Sequence, residues 1–444
     1  MKGHELIPSA KRIIHSLRDM GYDFEQAVAD VVDNSVKANA TEIHIDVQFD
    51  GDDSWVRIAD NGTGMREDQI KEALRYGSRR KYTDDDLGKF GLGLKTASLS
   101  QCQRLSVASR HDPKRRNVCA YAWDLEHIGR TDRWEVLPIP KRGMLQMLAE
   151  PLDKSTGTVV LWENLDRMLG YRKPYGEAAR KRLANDCRRL EQHLGMVFNR
   201  FLSGEVKGCN FSITLNGNKV DPWDPFCLSE AKTVALKPLR LAVDEDGIKG
   251  TVLVEPFILP KQDHFSSQEA FMRAGCDKWN QLQGFYVYRA HRLIQAGGWS
   301  HLRTRDEHTK LARVAVSFMP ALDNAFKINV AKMSTQLPAS IREQIRTFLQ
   351  PFVVQARAVY DRKIVVGGSG GGTGTGGNAG GGSRGGGGGT TGGGAGGRGG
   401  KTGGSGTAKL LSHDQWAREM MLVAKPKERR IVRAVLGRMK VRSK

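Results

Sequence analysis

The 444-residue chain carries 69 Lys and Arg against 49 Asp and Glu, a formal net charge of +20 that points to an anionic partner. It is long enough for two or three domains, and it shows neither a run of 18 apolar residues nor an apolar stretch near its N-terminus, so no membrane span or secretory signal is expected. Six scattered cysteines (Cys102, Cys119, Cys187, Cys209, Cys227, Cys276) form no Cys-x-x-Cys pair, which argues against a structural zinc site or a disulfide framework and for reduced thiols in a cytoplasmic protein.

Residues 9–20 read as a short amphipathic helix with Ile13, Ile14 and Leu17 on one side. Residues 24–38 read as a second helix, on which Asp30 and Asn34 are spaced i, i+4 and share a face. A carboxylate and an amide one turn apart suit a water-activating base and a magnesium ligand. Residues 41–49 alternate as a strand, and a turn at 51–53 leads into a second strand at 55–59. That strand delivers Asp60-Asn61-Gly62-Thr63-Gly64-Met65. A carboxylate beside two glycines can approach a flat heterocycle and accept a hydrogen bond from an exocyclic amine.

After a helix at 66–76 comes a polar segment, 77–86, without apolar periodicity. It reads equally as a mobile lid that brings Arg79, Arg80 and Lys81 to phosphates and as a solvated loop. Residues 87–98 then run Leu-Gly-Lys-Phe-Gly-Leu-Gly-Leu-Lys-Thr-Ala-Ser. Gly88, Gly91 and Gly93 precede helix-compatible residues, and free amides at a helix entry form a nest suited to a phosphate chain. The spacing is neither that of a P-loop nor that of a Rossmann fingerprint.

Strands are expected at 103–110 and 117–125, joined by a basic hairpin at 111–116 whose charges read as solvated. A buried strand follows at 157–165, a long basic helix at 175–202, and a strand at 211–220 with an Asn-Gly-Asn turn. From Pro222 onward the pattern becomes strands joined by short turns: 233–241, 250–258, 284–288, 292–296, 314–319 and 326–330, closed by a helix at 338–363. Residues 367–407 are a Gly/Ser/Thr linker, expected to be disordered. Beyond Gly367 there are 14 basic and 3 acidic residues, so the helical tail at 408–444 suits anchoring to nucleic acid, with docking to a protein partner as the rival.

The ordered set Asp30-x-x-x-Asn34, Asp60-x-Gly62-x-Gly64, Gly88-x-x-Gly91-x-Gly93 and Gly157-Thr158 resembles the GHKL (Bergerat-fold) ATPases, and among them the bacterial MORC-like and MutL-like members. The resemblance implies an α+β chain. A Bergerat-type α/β sandwich at 1–205 would bind ATP, a transducer-like α/β domain would span 206–366, and the linker and basic tail would follow. It places Asp60 on the adenine amine, Met65 along the adenine pocket and Thr158 near the base. Asn34 would hold Mg²⁺, and the loop Gly88, Lys89, Phe90, Gly91, Leu92, Gly93, Leu94 and Lys95 would lie over the phosphates. Asp30 would orient the attacking water, and Lys332, just past an expected strand, would reach the γ-phosphate.

Most hydrolytic relatives carry glutamate where this chain has Asp30. An error of about 1 Å in placing a base can cost on the order of a hundredfold in rate, so slow Mg²⁺-dependent ATP hydrolysis is expected. The leading reading is an ATP-gated dimeric clamp or switch acting on DNA in repair, modification or phage defence. A nucleotide-sensing adaptor with little turnover is the alternative. A protein histidine kinase, with His15 as phosphoacceptor, is a third.

Overall fold

Alternation of apolar and polar residues builds the first sheet. In β1 (Glu42–Gln48) Ile43, Ile45 and Val47 are buried while Glu42, His44 and Gln48 face water. β2 (Trp55–Asp60) pairs antiparallel with β1, setting Ile45 opposite Ile58 and Ile43 opposite Asp60. The sheet continues with β3 (Arg104–Arg110), β4 (Cys119–Asp124), β5 (Leu137–Pro138), β6 (Gly157–Glu163), β7 (Ser212–Leu215) and β8 (Asn218–Lys219). Their order is β5-β4-β3-β6-β2-β1-β7-β8, and β1–β7 is the parallel pair. Both faces are covered, which is why β6 reads as an unbroken apolar run. Val160 and Trp162 enter the large core on one face, Val159 and Leu161 a smaller cluster on the other.

The helices of this region are α1 (Ala10–Arg18), α2 (Phe24–Lys37), α3 (Glu67–Leu74), α4 (Gly93–Leu99), α5 (Leu125–Thr131), α6 (Gln146–Ala149), α7 (Glu177–Val197) and α8 (Asn199–Leu202). Val28, Val31 and Val32 of α2 share the large core with Leu190 and Leu194 of α7, while Leu148 of α6 covers the other face. α1 is tied to its own chain: Ser9 Oγ and the Lys11 amide donate to Asp132 Oδ1 at 2.9 Å, and Arg18 pairs with Asp166 at 2.6 Å.

The second sheet comprises β9 (Val234–Ala235), β10 (Leu239–Glu245), β11 (Ile248–Ile258), β12 (Gly284–Arg289), β13 (Arg292–Ala296) and β14 (Ala312–Phe318). The order is β10-β11-β14-β12-β13, with β9 also on β11. Beside it lie α9 (Gln268–Arg273), α10 (Trp279–Leu282) and α11 (Ala339–Asp361). α11 presents Ile341, Ile345, Leu349 and Phe352, a stripe at helical spacing, to Val252, Val254, Val314 and Val316.

The computed structural model describes residues 4, 6–19, 21–77, 93–144, 146–170, 173–208, 210–245, 247–275, 278–328 and 335–361. Residues 78–86 of the segment at 77–86 read as a lid, Gly88, Lys89, Phe90, Gly91, Leu92, Lys332, the linker and the basic tail lie outside them. Among the described residues no helix is long and apolar enough to cross a membrane.

Several expectations are corrected. The strand expected at 233–241 is interrupted before β10, where Pro238 lacks the amide a ladder needs. The helix expected at 175–202 breaks at Phe198, whose backbone leaves helical values at φ −103° and ψ 21°. The strand expected to run to 125 stops at Asp124, whose side chain caps α5 by accepting from the Glu126 and His127 amides at 3.0 Å. The strand expected from 326 does not form over 326–328: Phe326 sits buried in a turn and Lys327 takes φ +48°. The first sheet also takes in 212–219, beyond the 205/206 boundary drawn from the sequence.

Candidate nucleotide site

Asp60 ends β2 in the middle of the first sheet, opposite Ile43 of β1 and Thr158 of β6. Its Oδ1 accepts from the Gly62 amide at 2.9 Å and the Thr158 amide at 3.2 Å, and its Oδ2 accepts from Ser35 Oγ at 2.9 Å. Burial pushes the carboxyl pKa up, and these three hydrogen bonds pull against it. No cation pairs with Asp60 among the described residues. A fixed, half-enclosed acceptor of this kind suits a neutral donor such as an exocyclic amine.

The backbone around Asp60 requires glycine. Gly64 takes φ +64°, and a Cβ there would stand 2.0 Å from the Arg110 carbonyl oxygen; at Gly157, φ +149°, a Cβ would stand 1.9 Å from the Asp60 carbonyl oxygen. Beneath this turn Ser109 links three strands' ends. Its Oγ accepts from the Met65 amide at 2.8 Å, donates to the Gly157 carbonyl at 2.7 Å and lies 3.0 Å from Thr158 Oγ1. Ser109 thus holds both Met65 and Thr158, although no periodicity or motif singles it out. Ser35 is likewise absent from the sequence-derived set; its position beside Asn34 was the available signal.

α2 carries the second group of candidates. Asp30 is 4% exposed; its Oδ2 accepts from the Tyr22 hydroxyl at 3.0 Å, and its Oδ1 stands 3.6 Å from Arg292 Nη2. Burial, and then the Asp30 charge, push the Tyr22 pKa up, which keeps the phenol a donor. A Cβ at Gly93, the first residue of α4, would lie 3.6 Å from Asp30 Oδ2, so the glycine-rich loop ends against this carboxylate. Asn34 is exposed and donates its amide nitrogen to the Asp30 carbonyl at 2.9 Å. That orientation leaves the amide oxygen as its metal-ligating end. Among the described residues no three His, Cys, Asp or Glu side chains converge as a metal cage. One amide oxygen completed by phosphate oxygens and water fits Mg²⁺, which keeps much of its hydration.

The expected site residues therefore fall into two joined groups. Asp60, Gly62, Gly64, Met65 and Thr158 converge around the end of β2, while Asp30, Asn34 and Gly93 meet at α2 and α4. Leu94 packs against the large core. Lys95, read from the sequence as a phosphate ligand, is 2% exposed and donates to the carbonyls of Ala73 at 2.9 Å and Arg75 at 2.8 Å. Burial pushes its pKa down to about 8. Its ammonium ties α4 to the end of α3. His15, exposed on the nine-residue α1, has no part in either group.

Residues 22–158 match the family of histidine kinase-, DNA gyrase B- and HSP90-like ATPases. Curated relatives similar to the chain are DNA mismatch repair proteins MutL. The protein of Pasteurella multocida is 28% identical over 198 residues, covering 44% of this chain and 28% of that one. That of Haemophilus influenzae (strain Rd) is 25% identical over 233 residues, covering 51% and 32%, and that of Aliivibrio fischeri is 37% identical over 100 residues, covering 21% and 15%. The match thus spans at most about a third of these relatives. The motif-based resemblance to GHKL ATPases of MutL-like type is borne out.

Proposed function

We propose that this GHKL-type, MutL-like chain binds ATP and hydrolyses it slowly, using the nucleotide to gate association of two copies on DNA. The observation that carries the reading is the Asp60 cluster: a half-buried carboxylate at the end of a central strand, held by Ser35, Gly62 and Thr158, with glycine on both approaches. Asp60 accepts the adenine amine, with Met65 and Thr158 at the base. The loop at 88–94 encloses the phosphates, and Asn34 helps to hold Mg²⁺, which neutralises charge on the phosphoryl oxygens. Asp30 orients the attacking water, and Lys332 supplies a point charge to the γ-phosphate. The net charge of +20 supports a nucleic-acid client, held through the tail. MutL relatives are named for DNA mismatch repair, which supports DNA over RNA.

A nucleotide sensor with little turnover is the second reading, favoured by the short Asp30 side chain and by its hydrogen bond from Tyr22. Phosphate release, with and without duplex DNA, separates the two. The switch reading expects wild-type turnover well above that of Asp30→Ala. Equal turnover, with nucleotide still bound, establishes the sensor instead.

A further inference from the structure

We propose that Arg292 of the second sheet is a positioning residue for Asp30, so that the reaction centre is complete only when that sheet is docked against α2. The inference rests on the reading of Asp30 as the water-orienting group.

β12 and β13 form a hairpin in which Arg289 stands opposite Arg292. The turn residues Ala290 and His291 both take left-handed backbone, φ 45° and 69°, as a tight hairpin turn requires. The hairpin carries the Arg292 guanidinium into α2. Its Nε donates to Asp33 Oδ1 at 2.7 Å, and Nη2 lies 3.6 Å from Asp30 Oδ1. The three side chains are 6%, 4% and 4% exposed, so the group is shut off from water.

Burying three ionic groups is a poor route to stability, because an apolar trio of the same size avoids the desolvation cost. The geometry points to another use. Asp33 anchors the guanidinium by a direct hydrogen bond, whereas 3.6 Å to Asp30 is beyond hydrogen-bonding distance and acts through charge. Tyr22 fixes the opposite oxygen, which faces the start of α4. Asp30 is therefore held from two sides, by Tyr22 ahead of α2 and by Arg292 from β13. An aspartate has one fewer rotatable bond than glutamate, and fixing its direction compensates for its shorter reach.

The same hairpin has a second grip. Arg289 Nε and Nη2 lie 2.6 and 2.5 Å from the two Asp323 oxygens, with both side chains buried. The Asp323 carbonyl accepts from the Ile328 amide at 3.1 Å. The hairpin thus joins the carboxylates of α2 to the turn that holds Asp323 and Ile328.

The test uses the full chain as wild type, Arg292→Ala and Arg292→Lys, with thermal melting for folding, calorimetry for Mg·ATP affinity and single-turnover hydrolysis for rate. Arg292→Ala is expected to bind Mg·ATP within about threefold of wild type while kcat falls at least about tenfold, the split that separates positioning from binding. Arg292→Lys is expected to recover at least about threefold of that loss, since it keeps the charge without the fork. Turnover of Arg292→Ala within about twofold of wild type overturns the proposal, as does a parallel loss of affinity and rate, or a lysine variant no better than alanine. Should Arg292→Ala fail to melt cooperatively, Arg292→Lys decides: kcat lowered by about threefold or more at unchanged affinity supports the role, and wild-type kcat overturns it. A wild-type chain that binds ATP without hydrolysing it also overturns the positioning role, while leaving the nucleotide pocket intact. A wild-type chain that binds no ATP overturns the pocket itself.

Discussion

Ser35 donates its hydroxyl to Asp60 Oδ2 at 2.9 Å, across the junction of α2 and β2. α2 thereby presents Asp30 and Asn34 on one turn and braces the Asp60 carboxylate, the proposed purine acceptor, with the next residue. The two halves of the candidate site are linked by this one half-buried hydrogen bond.

Ser35→Ala tests that brace. A hydrogen bond to a charged group contributes roughly 1.5–3 kcal/mol, so ATP affinity should fall about tenfold or more as Asp60 loses its side-chain donor. Calorimetry checks this, and affinity within about twofold of wild type contradicts it.

Ser109 is expected to act on stability as well as binding. Ser109→Ala leaves the Met65 amide and the Thr158 hydroxyl without their shared partner. An unsatisfied buried group costs roughly 1–3 kcal/mol, a loss that urea denaturation would register as a lower midpoint at unchanged slope.

At Lys95, support of the fold and ligation of phosphate can be told apart. Because the ammonium is engaged with the Ala73 and Arg75 carbonyls, Lys95→Met should lower the melting temperature while leaving ATP affinity within about threefold of wild type. A hundredfold loss of affinity in a folded variant would show instead that the side chain swings to the phosphates.

His193 sets an acid limit. Burial in α7, and then the Arg292 cation, lower its pKa to about 4, with Glu25 and Asp33 pulling the other way. The folded value lies below the unfolded 6.5, so the unfolded chain takes up the proton first. Stability from this group is complete above about pH 6.5 and is lost as pH falls toward about 4, on the order of 2 kcal/mol by pH 5. His193→Gln should flatten the urea midpoint between pH 7.5 and 5, and a slope as steep as wild type rules the histidine out.

The elements that frame the site were legible because each has a local signature. The i, i+4 spacing of Asp30 and Asn34, the alternation leading to Asp60 and the apolar run of β6 need no knowledge of the rest of the chain. What escaped depends on long-range contact. Ser109 reads as one more strand residue until β3 is seen beside β6, and Arg292 lies 259 residues from Asp33. Lys95 has the look of a phosphate lysine because it follows Gly91 and Gly93; its burial is decided by carbonyls at the end of α3, twenty residues earlier. α5 is different: Asp124 followed by Glu126 is a readable cap, hidden by the strand pattern of the apolar residues before it.

Titration of the full chain with Mg·ATP by calorimetry, wild type beside Asp60→Asn, tests the central claim most directly. The account predicts one saturable site per chain in the wild type and loss of that site in a variant that remains folded by circular dichroism. An Asp60→Asn protein that binds ATP as tightly as wild type, or a folded wild type that gives no binding heat, would contradict it.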